Sequence, residues 1–241
     1  MATSWSDANA LPYHLIQWER TKESTKEFVH FLSSELESPG HFLDLGCGGG
    51  AATYTLSQFS RDSSWTGIDL DKNLVSVANR LANEKGVPNL KFLEADLCNF
   101  GSANIFDGVV SLQTVSWLDD FRPAFSNVFK NLRPKWFAVT SLFFEGDISA
   151  YTKVKEHRTK RSVHYNTYSI PEVKRFAREM GYDLQKKQKF EISLDLVKPT
   201  DLDVMGTYTV RPENFEKQGR LQISGPLLMS WYMLFFRKIQ A

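Results

Sequence analysis

The chain has 241 residues, 42% of them hydrophobic and 24% charged, the ordinary proportions of a water-soluble globular chain long enough for one large domain with a full core. Its 29 basic and 28 acidic residues leave a formal charge of +1, which argues against a non-specific nucleic-acid binder, whose affinity comes mainly from neutralising phosphates. Two cysteines, Cys47 and Cys98, are too few for a disulfide framework or a zinc site. The longest apolar run, near Leu227–Phe236, is far shorter than the roughly 20 residues that cross a bilayer. Met1 to Asp7 has no basic stretch followed by an apolar one, so no signal peptide is read there. The expectation is a reduced, cytoplasmic protein with neither a membrane nor a nucleic acid as partner.

The first forty residues read as helical. Phe28, Phe31, Leu32 and Leu36 recur at helical spacing, and Pro39-Gly40 stops that pattern. From Phe42 strands and helices alternate. Phe42–Leu45 is a strand, followed by glycines and a helix over Ala51–Phe59. Trp65–Leu70 is the second strand, and Leu74, Val77, Ala78 and Leu81 line one face of the next helix, closed by Lys85, Gly86 and Pro88. Leu90–Leu93 and Phe106–Leu112 are the third and fourth strands. Phe125, Val128, Phe129 and Leu132 mark a helix that Arg133-Pro134 ends, and Trp136–Phe144 is the fifth strand. A polar, basic and aromatic segment, Glu145 to Tyr168, leads to a helix signed by Ser169 and Glu172 as a capping box and stopped by Gly181. Beyond it, Lys189–Val197, Tyr208–Val210, Leu221–Ser224 and Leu228–Ile239 read as strands without helices between them. Alternating elements imply an α/β fold with a parallel sheet and helices on both faces, and the last strands imply antiparallel pairing at one edge. Ligands of such sheets bind over the carboxyl ends of the strands, at the switch point in strand order.

The most telling stretch is Leu43-Asp44-Leu45-Gly46-Cys47-Gly48-Gly49-Gly50-Ala51. Glycines after a strand allow a tight turn and a close ligand, because a Cβ would block both. By itself the run also fits the dinucleotide fingerprint G-x-G-x-x-A, with Asp69 where a ribose-binding acid belongs. Three features move the reading away from a dinucleotide. Asp44 stands two positions before the glycines, where a pyrophosphate would be repelled. Asp96 supplies a third carboxylate, after the third strand. The final strands are not the second mononucleotide half of a full dinucleotide fold.

Together these residues resemble the class I S-adenosylmethionine-dependent methyltransferases. Leu43 to Gly50 resembles the family's first motif, Gly67-Ile68-Asp69-Leu70-Asp71 the second, Glu94-Ala95-Asp96-Leu97 the adenine-side motif and Phe106 to Thr114 the fourth. Asn131-Leu132-Arg133-Pro134 resembles the usual end of the helix before strand five, although Lys135-Trp136 follows where the family commonly has glycines. The likeness spans about residues 40–182. It implies a Rossmann-like, doubly wound, mostly parallel seven-stranded sheet with an antiparallel C-terminal edge strand. One domain, 1–241, would comprise a helical lid (1–40), a cofactor-binding core (41–182) and C-terminal antiparallel strands (183–241).

The resemblance also implies a cofactor, S-adenosyl-L-methionine, with S-adenosyl-L-homocysteine as product, and a cofactor-binding set of Asp44, Gly46, Cys47, Gly48, Asp69, Leu70, Asp96, Leu97, Ser111 and Gln113. In it the Gly46 and Gly48 backbone meets the methionine part, Asp69 takes the ribose hydroxyls and Leu70 packs beside adenine. Asp96 and the Leu97 amide bind the adenine edge, and Ser111 and Gln113 line the mouth. Methyl transfer from a sulfonium is an in-line displacement, so the protein aligns the acceptor and excludes water, with no metal required. A base is needed only for a protonated acceptor, and His164 is the candidate. Tyr13, Trp117, Arg158 and Tyr165 are candidate substrate residues. Arg158 and Arg161 suit an anionic acceptor group, since guanidinium forks match carboxylate and phosphate. The strand-four motif lacks the Asn/Asp-Pro-Pro-aromatic signature of enzymes that methylate nucleobase or glutamine amines, which points to a small-molecule acceptor, methylated on oxygen or nitrogen. A sugar or a phosphorylated or carboxylated precursor fits the basic loop. A non-catalytic or partner-dependent S-adenosylmethionine-binding protein is the alternative, and the oligomeric state is left open.

Overall fold

The computed structural model describes residues 10–157, 160–192, 195–197, 207–210, 221–224, 227–228 and 230–239. Three helices come first: α1 (Ala10–Glu19), α2 (Glu23–Phe31) and α3 (Ser33–Leu36). The alternating region follows as β1 (His41–Leu45), α4 (Ala51–Phe59), β2 (Ser64–Asp69), α5 (Lys72–Glu84), β3 (Leu90–Glu94) and β4 (Gly108–Leu112). A 3-10 turn (Val115–Trp117) and α6 (Arg122–Ser126), continued by a π-helical segment (Asn127–Leu132), lead to β5 (Trp136–Phe144). Arg133 adopts a left-handed backbone before Pro134 and its amide reaches back to Val128 O, which closes that segment. The chain continues through β6 (Lys153–Glu156), β7 (Arg161–His164), β8 (Tyr168–Ser169), α7 (Ile170–Glu179) and β9 (Tyr182–Phe190). It ends with β10 (Thr207–Val210), β11 (Leu221–Ser224), β12 (Leu227–Leu228) and β13 (Ser230–Lys238).

The main sheet has the order β3-β2-β1-β4-β5-β13-β9, with the short β8 added beside β5. The strands from β1 to β5 pair in parallel, and β13 runs antiparallel to both its neighbours. The antiparallel pairing therefore lies at the C-terminal end of the sheet, with the reversed strand in the penultimate place. Two side chains set that end: Phe235 and Phe236 of β13 are buried on opposite faces, one stacking on Trp136 and the other on Phe137. A strand buried on both faces belongs inside a sheet. The strand expected at Lys189–Val197 is corrected to Tyr182–Phe190. Its run Asp183-Leu-Gln-Lys-Lys-Gln-Lys189 has little apolar signal because β9 is the outermost strand, where lysines discourage pairing with other chains.

Helices α2, α4 and α5 pack on one face around Phe28, Leu32, Leu56, Trp65 and Ala78, and α6 and α7 on the other around Phe121, Phe125, Val128 and Val173. The Ser169 hydroxyl accepts the Glu172 amide (3.2 Å), the N-cap half of the expected capping box; the other half is replaced, since the Ser169 amide donates to Ser149 Oγ (2.9 Å), whose hydroxyl donates to Glu172. The segment read as polar and basic, Glu145 to Tyr168, contains the antiparallel hairpin β6–β7. The strands expected at Tyr208–Val210 and Leu221–Ser224 form β10 and β11, which pair antiparallel, Thr207 with Ser224. Among the described residues, no helix is long and apolar enough to cross a membrane.

Candidate functional site

The strand order reverses at β1, which pairs with β2 on one side and β4 on the other. The glycine turn begins at this switch point. The amides of Gly46 and Cys47 both donate to Ile68 O (2.8 and 2.9 Å), fixing the turn to the end of β2. Gly46 has φ +74°, and a methyl group there would overlap the Thr114 side chain, whose hydroxyl donates to Gly46 O at 3.0 Å. Glycine is thus required at position 46 for both its backbone and its neighbour. The turn runs into α4, with Gly50 at its N-terminus.

Three acids converge there. Asp44 is 1% exposed; Thr53 donates to its Oδ2 (2.6 Å), and its Oδ1 is buried without a hydrogen-bond partner. Burial pushes its carboxyl up to about 7, with the charge of Asp69 adding to the rise and the Thr53 bond opposing it. Asp69 accepts from the Gly48 amide (2.8 Å) and the Asp71 amide (2.9 Å), and burial raises its carboxyl above the usual range. Asp71 caps α5 through the amides of Asn73 and Leu74. Leu70, between the two acids, leaves 44% of its surface exposed, a flat apolar platform at the end of β2. Burial, then the charges of Asp44 and Asp69, pushes the Cys47 thiol well above its ordinary value, which makes it inert packing.

Beyond β3, Asp96 accepts from the Cys98 amide (2.8 Å) and from Asn99 Nδ2 (3.0 Å), which fixes its carboxylate at the start of the loop. Leu97 is 8% exposed, and its carbonyl accepts from Asn127. At the end of β4, Ser111 is 1% exposed and donates to Leu45 O (2.9 Å), so its hydroxyl ties β4 to β1 and does not line the mouth. Gln113 is half-buried just past the end of β4. Its φ of +59° is unusual for a residue with a side chain, and its amide group reaches Ser24 Oγ (2.9 Å) and Lys22 Nζ (3.4 Å).

Helix α1 lies across the glycine turn. The His14 ring is the nearest side chain to a methyl group built on Gly48, and Trp18 Nε1 donates to Gly49 O (2.6 Å). Trp18 is buried and stacks on Tyr54, so it anchors the helix by packing as well. Burial, then Lys22, lowers the His14 imidazole below its ordinary value, against the pull of Asp69 and Asp71. Tyr13 is 55% exposed and lies under the Lys22 ammonium.

The other expected residues gather on the β5 side. The rings of Trp117 and Tyr165 lie 4.8 Å apart and pack with Leu142, Val154 and Trp231. His164 ends β7, opposite Lys153 and adjacent to Tyr165. Arg158 lies outside the described residues. Thr53, Thr114 and Lys22 are the site residues that sequence reading missed. Thr114 closes the fourth motif, and that position was its only signal; Thr53 and Lys22 had none. Among the described residues no group of three or more His, Cys, Asp or Glu side chains is placed to hold a metal ion.

Residues 42–135 match the family model described as a methyltransferase domain. An O-methyltransferase from Pyrenophora dematioidea is 29% identical over 133 residues, covering 50% of this chain and 49% of that protein. The malonyl-[acyl-carrier protein] O-methyltransferase of Bacillus anthracis is 26% identical over 153 residues, covering 59% and 56%. The chain thus spans about half the length of the curated relatives it matches. The crystal structure of Burkholderia thailandensis 1,6-didemethyltoxoflavin-N1-methyltransferase, with bound 1,6-didemethyltoxoflavin and S-adenosylhomocysteine, superimposes with a TM-score of 0.60 at 15% identity. That match covers 100% of this chain and 94% of the other, and shows a shared fold. With this strand order, a glycine turn at the switch point and acids at the ends of β1 and β2 and beyond β3, residues 42–135 resemble a methyltransferase domain.

Proposed function

We propose that this protein transfers the methyl group of S-adenosyl-L-methionine to an oxygen or nitrogen of a small-molecule acceptor and releases S-adenosyl-L-homocysteine. The observation that carries the reading is the Asp44 carboxylate. One of its oxygens is buried without a donor, beside a glycine turn and next to Asp69. Buried polar atoms are nearly always paired, so this one calls for a donor, and a cationic amino group satisfies both the hydrogen bond and the charge. A pyrophosphate would do the reverse. Leu70 offers the apolar platform, Asp69 the acceptor for a diol, and Asp96 an acceptor for an exocyclic amine.

When bound, the sulfonium cofactor supplies an already activated methyl group. The chain's own residues then have two tasks. His14 and Trp18 close α1 over the glycine turn and exclude water from it. Trp117 and Tyr165 form an aromatic wall on the β5 side, suited to orienting a flat or apolar acceptor. His164, which ends β7 and precedes Tyr165 in the chain, is assigned the proton of a hydroxyl or ammonium acceptor. O-methyltransferase relatives and an N-methyltransferase neighbour in fold both support this acceptor range.

Calorimetric titration with S-adenosylhomocysteine and with NADH is the first test. Binding of the former alone is the expected result, and its absence would overturn the reading. Labelled cofactor incubated with fractionated metabolite pools then identifies the acceptor through the fraction that gains label.

A further inference from the structure

Lys22 lies half-buried in the turn between α1 and α2. Its ammonium meets two neutral groups: Gln113 Oε1 at 3.4 Å and the Tyr13 ring, whose centroid is 4.8 Å away. Among the described residues no carboxylate pairs with it. Its neighbours differ: Lys26 pairs with Glu23 at 2.8 Å and Lys85 with Glu19 at 3.4 Å. A partly desolvated cation on neutral partners is a costly arrangement unless an anion completes it.

Gln113 has its own peculiarity. It takes a left-handed backbone at the end of β4, and that turn sends its amide group to Ser24 and Lys22. Strain of this kind in a residue with a Cβ persists where the surroundings over-determine it, commonly at ligand sites. Position completes the argument. The His14 ring rests on Gly48 and feels Lys22 as well as Asp69 and Asp71, so the lysine and the acids flank the same turn. Asp44, Asp69 and Asp71 make the floor negative, and Lys22 brings a cation to the cover. A zwitterionic amino-acid group fits such a division, its ammonium toward Asp44 and its carboxylate toward Lys22.

We propose that Lys22 holds the α-carboxylate of the cofactor's amino-acid arm, with Tyr13 and Gln113 as the residues that position it. This rests on the cofactor reading above. The test is titration of the wild type, Lys22→Met and Lys22→Arg with two ligands, S-adenosylhomocysteine and 5′-methylthioadenosine. The second keeps the nucleoside and sulfur and lacks the amino-acid arm. Lys22→Met is expected to weaken S-adenosylhomocysteine at least about tenfold and methylthioadenosine less than about twofold, as loss of one charged hydrogen bond requires. Lys22→Arg is expected to keep most of the affinity. Equal weakening of both ligands would reduce Lys22 to a structural role and overturn the proposal. So would unchanged S-adenosylhomocysteine affinity accompanied by a raised acceptor KM, which would assign the cation to the acceptor. If the wild type binds neither ligand, the cofactor reading itself falls, and the proposal with it.

Discussion

The side of the sheet formed by β1, β2 and β3 and the side formed by β5, β13 and β9 solve different problems. On the first side the site is made of backbone: two amides on Ile68 O, a glycine fixed by Thr114, and an Asp69 carboxylate that collects the amides of Gly48 and Asp71. Each piece sits within a few residues of a strand end. The second side brings together side chains from distant segments, with Trp117, Leu142, Tyr165 and Trp231 in one cluster. A shared ligand such as a cofactor suits the first construction, and an acceptor particular to one enzyme suits the second, because side-chain pockets change without disturbing the sheet.

That contrast is open to direct attack. The largest expected effect is on turnover: His164→Ala lowers kcat about 100-fold or more if it is the base, while S-adenosylhomocysteine affinity stays unchanged. A fully active variant removes His164 from that role, and weakened cofactor binding would blur the division between the two sides. Gly46→Ala combines a left-handed backbone with overlap on Thr114, and urea denaturation is expected to show a loss of about 2–5 kcal/mol. Normal stability would mean that the turn can shift to accept a side chain. Asp69→Ala is expected to weaken S-adenosylhomocysteine by about 1–3 kcal/mol in titration, the effect of losing hydrogen bonds to a charged group. Unchanged affinity would reject Asp69 as the diol acceptor.

The smallest effect is a pH slope. Asp44's carboxyl rises from an ordinary 3.8 to about 7 in the folded chain. Between those values the native state keeps a proton that the unfolded chain has released, so stability falls as pH rises through this window. Asp44→Asn is expected to flatten that fall in denaturation series from pH 4 to 8. An identical slope in both proteins would place the titration elsewhere.

Much of the first side was legible because its signals are local. Leu43-Asp44-Leu45 followed by glycines reads as a strand and a turn at once, and Ser169 with Glu172 reads as a cap. Ser111 shows the limit of such reading. A strand-end serine in the fourth motif looks like a mouth residue, yet pairing of β4 with β1 turns its hydroxyl onto Leu45 O. The strand at Tyr182–Phe190 was hidden for another reason: an edge strand needs few apolar residues, so its period is weak. Lys22 was invisible because its meaning depends on Gln113, 91 positions away.

The sequence by itself determined the alternating architecture, the place of the ligand turn and the acids that face it. These follow from periodicity, caps and glycine, which act over a few residues. Only the tertiary structure decided that Trp18 fastens α1 to Gly49, that Asp44 is left with an unpaired oxygen, and that Lys22 meets Gln113. Those facts depend on which distant segments share a face of the sheet, and burial and partner choice are set only once the chain has packed.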